Sequence, residues 1–282
     1  MLIYLKRNLM AIVCIAMIFT AACKKKTVEP VAEKKGIQLA TDAKFGAVLT
    51  DKDGKSLYFF ATDVAGTANC TGGCEAVWPL YYSADASTDL NLNKAEVGEI
   101  TRADGRKQST YKGYPLYYYA TDAVTGDVKG DGIGGIWFVA KPDYSLMLAN
   151  AQLVGANGKT YTSAYVEGTG NTKYFTDALG RTLYAFGPDK NNKNNYTKAD
   201  LSNNAIWPVY EIELKSLPSV ITKDLIGVID VFGKKQMTYK GWPLYYFASD
   251  AKRGDNKGIT VGGIGTVWPY VSTSTAVAPV AP

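Results

Sequence analysis

The sequence predicts an all-β body built by duplication, and three observations carry that prediction. The segment Thr110–Asp122 returns almost unchanged as Thr238–Asp250, and two shorter relatives, Leu57–Asp63 and Leu183–Asp189, share its Tyr-x-aromatic-x-x-Asp core. Tyr (20) and Gly (28) are abundant while Met is scarce, which favours strands and tight turns over helical bundles. Apolar runs of strand length alternate with Gly-bearing polar turns, the spacing of hairpins. With 282 residues, 46% hydrophobic and 20% charged, the chain is ordinary globular material that can bury a sizeable core.

Taken in order, residues 1–22 read as a bacterial signal peptide. Lys6 and Arg7 precede the apolar run Leu9–Phe19, and Thr20-Ala21-Ala22 puts small residues directly before Cys23. The run is too short for a permanent membrane span. Its ending resembles a lipobox, so Cys23 is expected to be diacylated and to become the new N-terminus, although Thr20 stands where Leu is more usual. Residues 23–36 then form the acylated cysteine and a flexible tether, whose Lys24-Lys25-Lys26 would either meet anionic headgroups or simply be solvated. Export leaves Cys70 and Cys74 as the remaining thiols in an oxidising compartment.

Residues 37–150 are the first β repeat half. Gly46–Thr50, a turn at Asp51–Gly54 and Ser56–Ala61 read as a hairpin. In the motif strand Tyr58 and Phe60 share one face and Leu57, Phe59 and Ala61 the other. Both faces are apolar, so the strand is expected to be covered on both sides. A loop with Cys70 and Cys74 follows, then Val77-Trp78-Pro79-Leu80. The second unit runs Val97–Arg102, Lys107–Tyr111 and, after a turn at Lys112-Gly113, Tyr114–Ala120, a three-stranded meander closed by Ile136–Val139. Residues 151–271 are the second half, offset by 126 to 131 residues, with a turn at Asp177–Gly180, the segment Thr182–Phe186, Ile206-Trp207-Pro208-Val209, a meander from Ile226 to Ala248 and a closing strand Thr266–Tyr270. A meander cannot cover both its own faces, so the four units must stack or close on each other, as paired sandwich-like bodies or a propeller-like closure. Residues 272–282 read as a disordered tail.

The four motif sets are Tyr58, Phe60 and Asp63; Tyr117, Tyr119 and Asp122; Tyr184, Phe186 and Asp189; and Tyr245, Phe247 and Asp250. Each Asp sits where an apolar run ends, a position in which the carboxylate accepts backbone N–H bonds and closes a turn. Four equivalent acids fit architecture better than four active sites. The Gly-rich loop after Asp122 carries Asp127 and Asp131, which with Asp122 invite a calcium reading. Yet the spacing is not that of an EF-hand and Asp131 has no acidic match in the second half, so no metal is assigned and a plain glycine loop is the alternative. For Cys70 and Cys74 a structural disulfide is expected, because Gly72-Gly73 permits the sharp turn that the spacing requires. A thiol-exchange pair and a metal site are the alternatives, neither helped by the surrounding residues.

This fourfold pattern, with its flanking Trp-Pro pairs and the Gly134-Gly135 run ahead of Trp137, resembles the secreted-repeat family of bacterial lipoproteins named for the Tyr-x-aromatic-x-x-Asp motif. The resemblance covers nearly all of the chain after the first forty residues. It implies a secreted, repeat-built module and supplies no catalytic residue.

The absence of histidine excludes Ser-His-Asp and Cys-His catalysis and His-ligated metals. Loss of Lys6 and Arg7 with the signal leaves 29 basic against 26 acidic residues, a charge of +3 that gives no argument for nucleic acid. The expectation is a non-enzymatic protein of the cell envelope, lipid-anchored and facing the periplasm or the exterior, without a cofactor. It would bind an unidentified protein or glycan through its aromatic residues, among them Tyr111, Tyr114, Tyr118, Tyr239, Trp242 and Tyr246. The competing readings are that these rings only fill strands, and that the protein is a redox or metal-handling one using the Cys70 and Cys74 loop.

Overall fold

The computed structural model describes residues 33–281. The expected signal peptide, Cys23 and the tether up to residue 32 lie outside the described residues. In the first copy β1 (Gln38–Asp42) and β2 (Gly46–Thr50) form an antiparallel pair. The turn between them is held by Asp42, whose Oδ1 accepts the N–H groups of Lys44 and Phe45 at 2.7 Å each. Asp51 plays the same part in the next turn, its Oδ1 accepting Asp53 N–H and Lys55 N–H at 2.9 Å each.

The hairpin expected between β2 and β3 (Tyr58–Phe60) shrinks to a bridge at Thr50 and Ser56. Instead β3 becomes an inner strand of a five-stranded antiparallel sheet with β4 (Val97–Thr101), β5 (Lys107–Tyr111), β6 (Tyr114–Tyr117) and β7 (Trp137–Val139), in the order β4-β5-β6-β3-β7. Burial explains the choice: Tyr58 and Phe59 point to opposite faces and are both at most 2% exposed, so this strand needs neighbours on both edges and cover on both sides. The β5–β6 connection is a two-residue turn with positive φ at Lys112 (50°) and Gly113 (74°), the backbone that matches strand twist. A Cβ on Gly113 would also lie 2.8 Å from the Arg253 guanidinium.

The second copy is built from β8 (Met147–Val154), β9 (Thr160–Tyr161), β10 (Asn171–Thr176), β11 (Ile226–Val231), β12 (Lys234–Tyr239) and β13 (Trp242–Pro243). Met147 pairs with Thr176 as Gln38 pairs with Thr50, so β8 is the counterpart of β1. The division drawn from sequence at 150/151 falls inside this strand, which no sequence landmark marked. The order β6-β3-β7 recurs as bridges from Tyr184 to Tyr245 and to Tyr270. The strand expected over Thr266–Tyr270 does not form as a regular one, because Pro269 takes the place that Phe138 has in β7 and has no N–H for the ladder. The protein is all-β with repeated units, in four sheets of two, three, three and five strands.

From Lys34 onward the chain is one compact unit. One apolar cluster holds Leu49 and Tyr114 of the first copy together with Tyr174 and Trp268 of the second. Arg253 ties the copies further, donating from Nε to Val64 O and from Nη1 to Lys112 O, with its guanidinium 4.4 Å from the Tyr114 ring centre. The expectation of a disordered tail is corrected. Trp242 Nε1 donates to Ala276 O, Lys240 Nζ to Thr273 O and Thr275 O, and Ala278, 2% exposed, donates its N–H to Lys240 O. A segment rich in Thr, Ala, Val and Pro looks featureless in sequence, but it supplies the carbonyls that the β12–β13 turn needs.

Candidate functional site

The Tyr and Asp of each motif do not bond to each other. They are exchanged between paired motifs. Tyr58 donates to Asp122 Oδ2 and Tyr117 donates to Asp63 Oδ2, both at 2.6 Å. In the second copy Tyr184 donates to Asp250 Oδ2 at 2.6 Å and Tyr245 to Asp189 Oδ2 at 2.8 Å. The other carboxylate oxygen in each case accepts a backbone N–H of the following loop, from Asn69, Lys129, Asn195 and Lys257 respectively for Asp63, Asp122, Asp189 and Asp250. The loop-closing role read from sequence is thus half of what the acid does. The other half, clamping the paired strand, depends on a partner 54 to 66 residues away.

Burial dominates the electrostatics of these pairs. It raises the carboxyl groups of Asp63, Asp189 and Asp250 to about 6, against the lowering effect of the Tyr hydroxyl and backbone N–H donors. The more open Asp122 is also raised, again mainly by desolvation. The four tyrosine hydroxyls are pushed up by burial, with the partner carboxylate adding to the shift.

The aromatic two places after each Tyr closes one end of a four-ring ladder. In the first copy the order is Phe60, Trp137, Trp78, Tyr119, with ring centres 4.0, 3.9 and 4.5 Å apart and the two indoles within 2° of parallel. The second copy stacks Phe186, Trp268, Trp207 and Phe247 at 4.6, 3.6 and 4.4 Å. The loop glycines Gly130 and Gly258 lie over these ladders and donate N–H to Tyr58 and Tyr184 hydroxyls at 3.2 Å. A Cβ there would come within 2.8 Å of Trp78 or 2.7 Å of Tyr184, so packing against rings accounts for these glycines. Sequence reading treated Trp78 and Trp207 as flanking marks and missed their place in the ladder. The available signal was that within each copy both ladder tryptophans follow their motif Asp at one distance, Trp78 matching Trp137 after Asp63 and Asp122, and Trp207 matching Trp268 after Asp189 and Asp250.

Beside each ladder lies a cleft, and the two clefts are equivalent. The first, about 350 Å3, is lined by Lys55, Ser56, Pro79, Tyr118, Tyr119, Ala120 and Asp122 together with Asp51 and Asp53. The second, about 380 Å3, has Arg181, Thr182, Pro208, Tyr246, Phe247, Ala248 and Asp250 in the matching places, with Asn204, Val209, Glu211 and Lys234 added. A tyrosine hydroxyl is held by a buried turn acid in both, Tyr118 on Asp51 Oδ2 at 2.9 Å and Tyr246 on Asp177 Oδ2 at 2.8 Å. Arg181 adds a bond to Tyr246 Oη and lies 4.1 Å from its ring centre. Asp51, Lys55, Asp177 and Arg181 were not singled out from sequence, yet Asp-x-x-Gly-Lys-Ser-Leu-Tyr and Asp-x-x-Gly-Arg-Thr-Leu-Tyr align at the same offset as the motifs.

Most of the rings offered as binding surface are core instead. Tyr111, Tyr114, Tyr117, Tyr239 and Tyr245 are at most 1% exposed, because they face the clusters between sheets. Tyr118, Tyr119 and Tyr246, which border the clefts, are partly open.

Cys70 and Cys74 form a disulfide with Cα atoms 5.3 Å apart. Cys70 is fully buried beside Trp78, and its carbonyl accepts from Arg102 Nη2 at 2.6 Å. Asp122, Asp127 and Asp131 are each engaged separately. Asp127 Oδ2 accepts Ala123 N–H and Val124 N–H and pairs with Lys129, while Asp131 Oδ1 accepts Val139 N–H. Among the described residues no three His, Cys, Asp or Glu side chains converge as a metal-binding group.

Three segments of the chain, residues 40–81, 98–141 and 228–272, match the family model described as a secreted repeat of unknown function. No curated protein and no solved structure matches the chain. The unit carrying Tyr184 and Asp189 lies outside the matched segments, and its geometry is that of the other three.

Proposed function

Because the chain belongs to this family of secreted repeats, we propose that it is a non-enzymatic binding module of the bacterial envelope, lipid-anchored through Cys23, that holds its ligand in the twin clefts. The observation that carries this reading is the repetition of the clefts. Seven lining positions match between them, and of these only the motif Asp and the ladder-end ring also serve the Tyr–Asp exchange and the ladders. Each cleft offers an aromatic ring with a polar tip, a carboxylate, a hydroxyl side chain and a cation within a small-molecule volume, a set suited to a sugar unit. The motif acids are committed to internal hydrogen bonds, which supports a role other than acid–base catalysis. Among the described residues no helix is long and apolar enough to cross a membrane, so attachment in this reading rests on the acylated cysteine.

Calorimetry with neutral and amino-sugar oligosaccharides tests the proposal. Two sites per chain are expected, one removed by Tyr118→Ala and the other by Tyr246→Ala. Failure of every oligosaccharide to bind, or a stoichiometry that neither substitution changes, would refute it.

A further inference from the structure

A third cleft, about 390 Å3, lies between the β1–β2 turn, the segment that follows β7 and the stretch 214–223. It shares no lining residue with the twin clefts and takes no part in the repeat machinery. Lys44, Lys141, Lys215 and Lys223 border it over an apolar floor that includes Phe45, Leu217 and Ile221.

Lys141 is the informative residue. It is only 9% exposed, yet among the described residues no hydrogen bond and no ion pair engages its ammonium. Its nearest partners are the rings of Tyr144 and Phe45, with centres 5.6 and 5.8 Å away. Lys44 approaches the same Phe45 ring at 4.7 Å. Drawing an ammonium partly out of water without an anion in contact is costly, and desolvation accordingly lowers its pKa, against the raising effect of Asp131, Asp143 and Asp42. The carboxylates around it hold bonds elsewhere and, among the described residues, none pairs with it: Asp143 accepts from Ser216 Oγ, Asp42 caps its own turn, and Asp131 accepts Val139 N–H, each through Oδ1. Four cations against the single lining carboxylate of Asp143 leave the cleft positive.

We propose that this cleft binds an anionic group, phosphate or carboxylate, carried on an apolar stem, with Lys141 pairing with the anion and Phe45, Leu217 and Ile221 covering the stem. The outer lysines gather the ligand by long-range attraction, and the volume falls in the range of small-molecule sites. This site is independent of the twin-cleft reading, since none of its residues lines those clefts.

The test is calorimetric titration of the purified full chain with hexyl phosphate. Saturable one-to-one binding is expected, weakened at least tenfold in Lys141→Met, in which a stem of similar shape remains without its charge. Hexanol binding as tightly as hexyl phosphate, or Lys141→Met binding it like the wild type, would overturn the proposal. Should that variant not fold, reductive methylation of the wild-type chain replaces it. Hexyl phosphate must then protect Lys141 from labelling, and full labelling in its presence would equally overturn the site. Competition identifies the natural source. Displacement by inorganic phosphate alone points to a phosphorylated solute, and displacement by vesicles of phosphatidylglycerol in phosphatidylcholine points to a lipid headgroup. Equal displacement by pure phosphatidylcholine vesicles would show an apolar groove and sink the anion assignment.

Discussion

Tyr117→Phe is the sharpest perturbation of the repeat. Among the described residues the hydroxyl is the one donor to Asp63 Oδ2, at 2.6 Å, while Oδ1 is held by Asn69. Both residues are fully buried, so water cannot take over the lost bond. Hydrogen bonds to charged groups contribute about 1.5–3 kcal/mol, and a buried carboxylate oxygen left alone costs at the upper end. We expect a loss of about 2–3 kcal/mol above pH 7, where Asp63, with its pKa near 6, is ionised. For a unit of this size that is a fall in Tm of about 4–12 °C. Near pH 5 the carboxyl is protonated, the bond is neutral, and the loss should shrink. Denaturant melts of wild type, Tyr117→Phe, Asp63→Asn and the double variant at both pH values give the coupling directly. A coupling below about 0.5 kcal/mol at neutral pH, the limit for independent sites, would refute the claim that the exchange holds the paired strands together.

Three further outcomes follow from the same geometry. Asp189 carries a folded-state pKa of about 6 against an ordinary 3.8, so the folded state holds an extra proton between those values. Its contribution is present at low pH and lost as pH rises through about 6, by about 3 kcal/mol for a two-unit shift. The stability of wild type relative to Asp189→Asn should therefore fall between pH 4 and 7, and a flat difference would contradict the assignment. Replacing Cys70 and Cys74 together by Ser should cost about 2 kcal/mol from the small loop they close and leave ligand binding in the twin clefts unchanged, because the matching loop of the second copy has no cysteine. Truncation after Val271 should lower Tm measurably, since four hydrogen bonds to Lys240 and Trp242 disappear, each contributing about 1 kcal/mol. A melt unchanged from the full chain would mean the tail is not docked.

The all-β class, the duplication, the turns and the strands β4, β5 and β6 were legible in the sequence because each depends on local chemistry. Alternation of side chains, a Lys-Gly pair at a two-residue turn and an Asp at the end of an apolar run act over a few residues, and repetition made each signal visible twice. The two faces of the Tyr58 strand could be read in the same way. Tertiary structure decided everything that needed two distant segments. Spacing alone could not show that Tyr58 serves Asp122 rather than its own Asp63, because the bond crosses between strands 64 residues apart. The tryptophan ladders assemble from segments far apart in the chain, stacking Trp78 on Trp137 and Trp207 on Trp268. Lys141 gives no signal in a chain with so many lysines, and only the packing of Phe45 and Tyr144 around it makes its charge conspicuous. Pairing, stacking and burial are properties of segments brought together by the collapse of the core, and one chain read along its length carries no record of which partner each will meet.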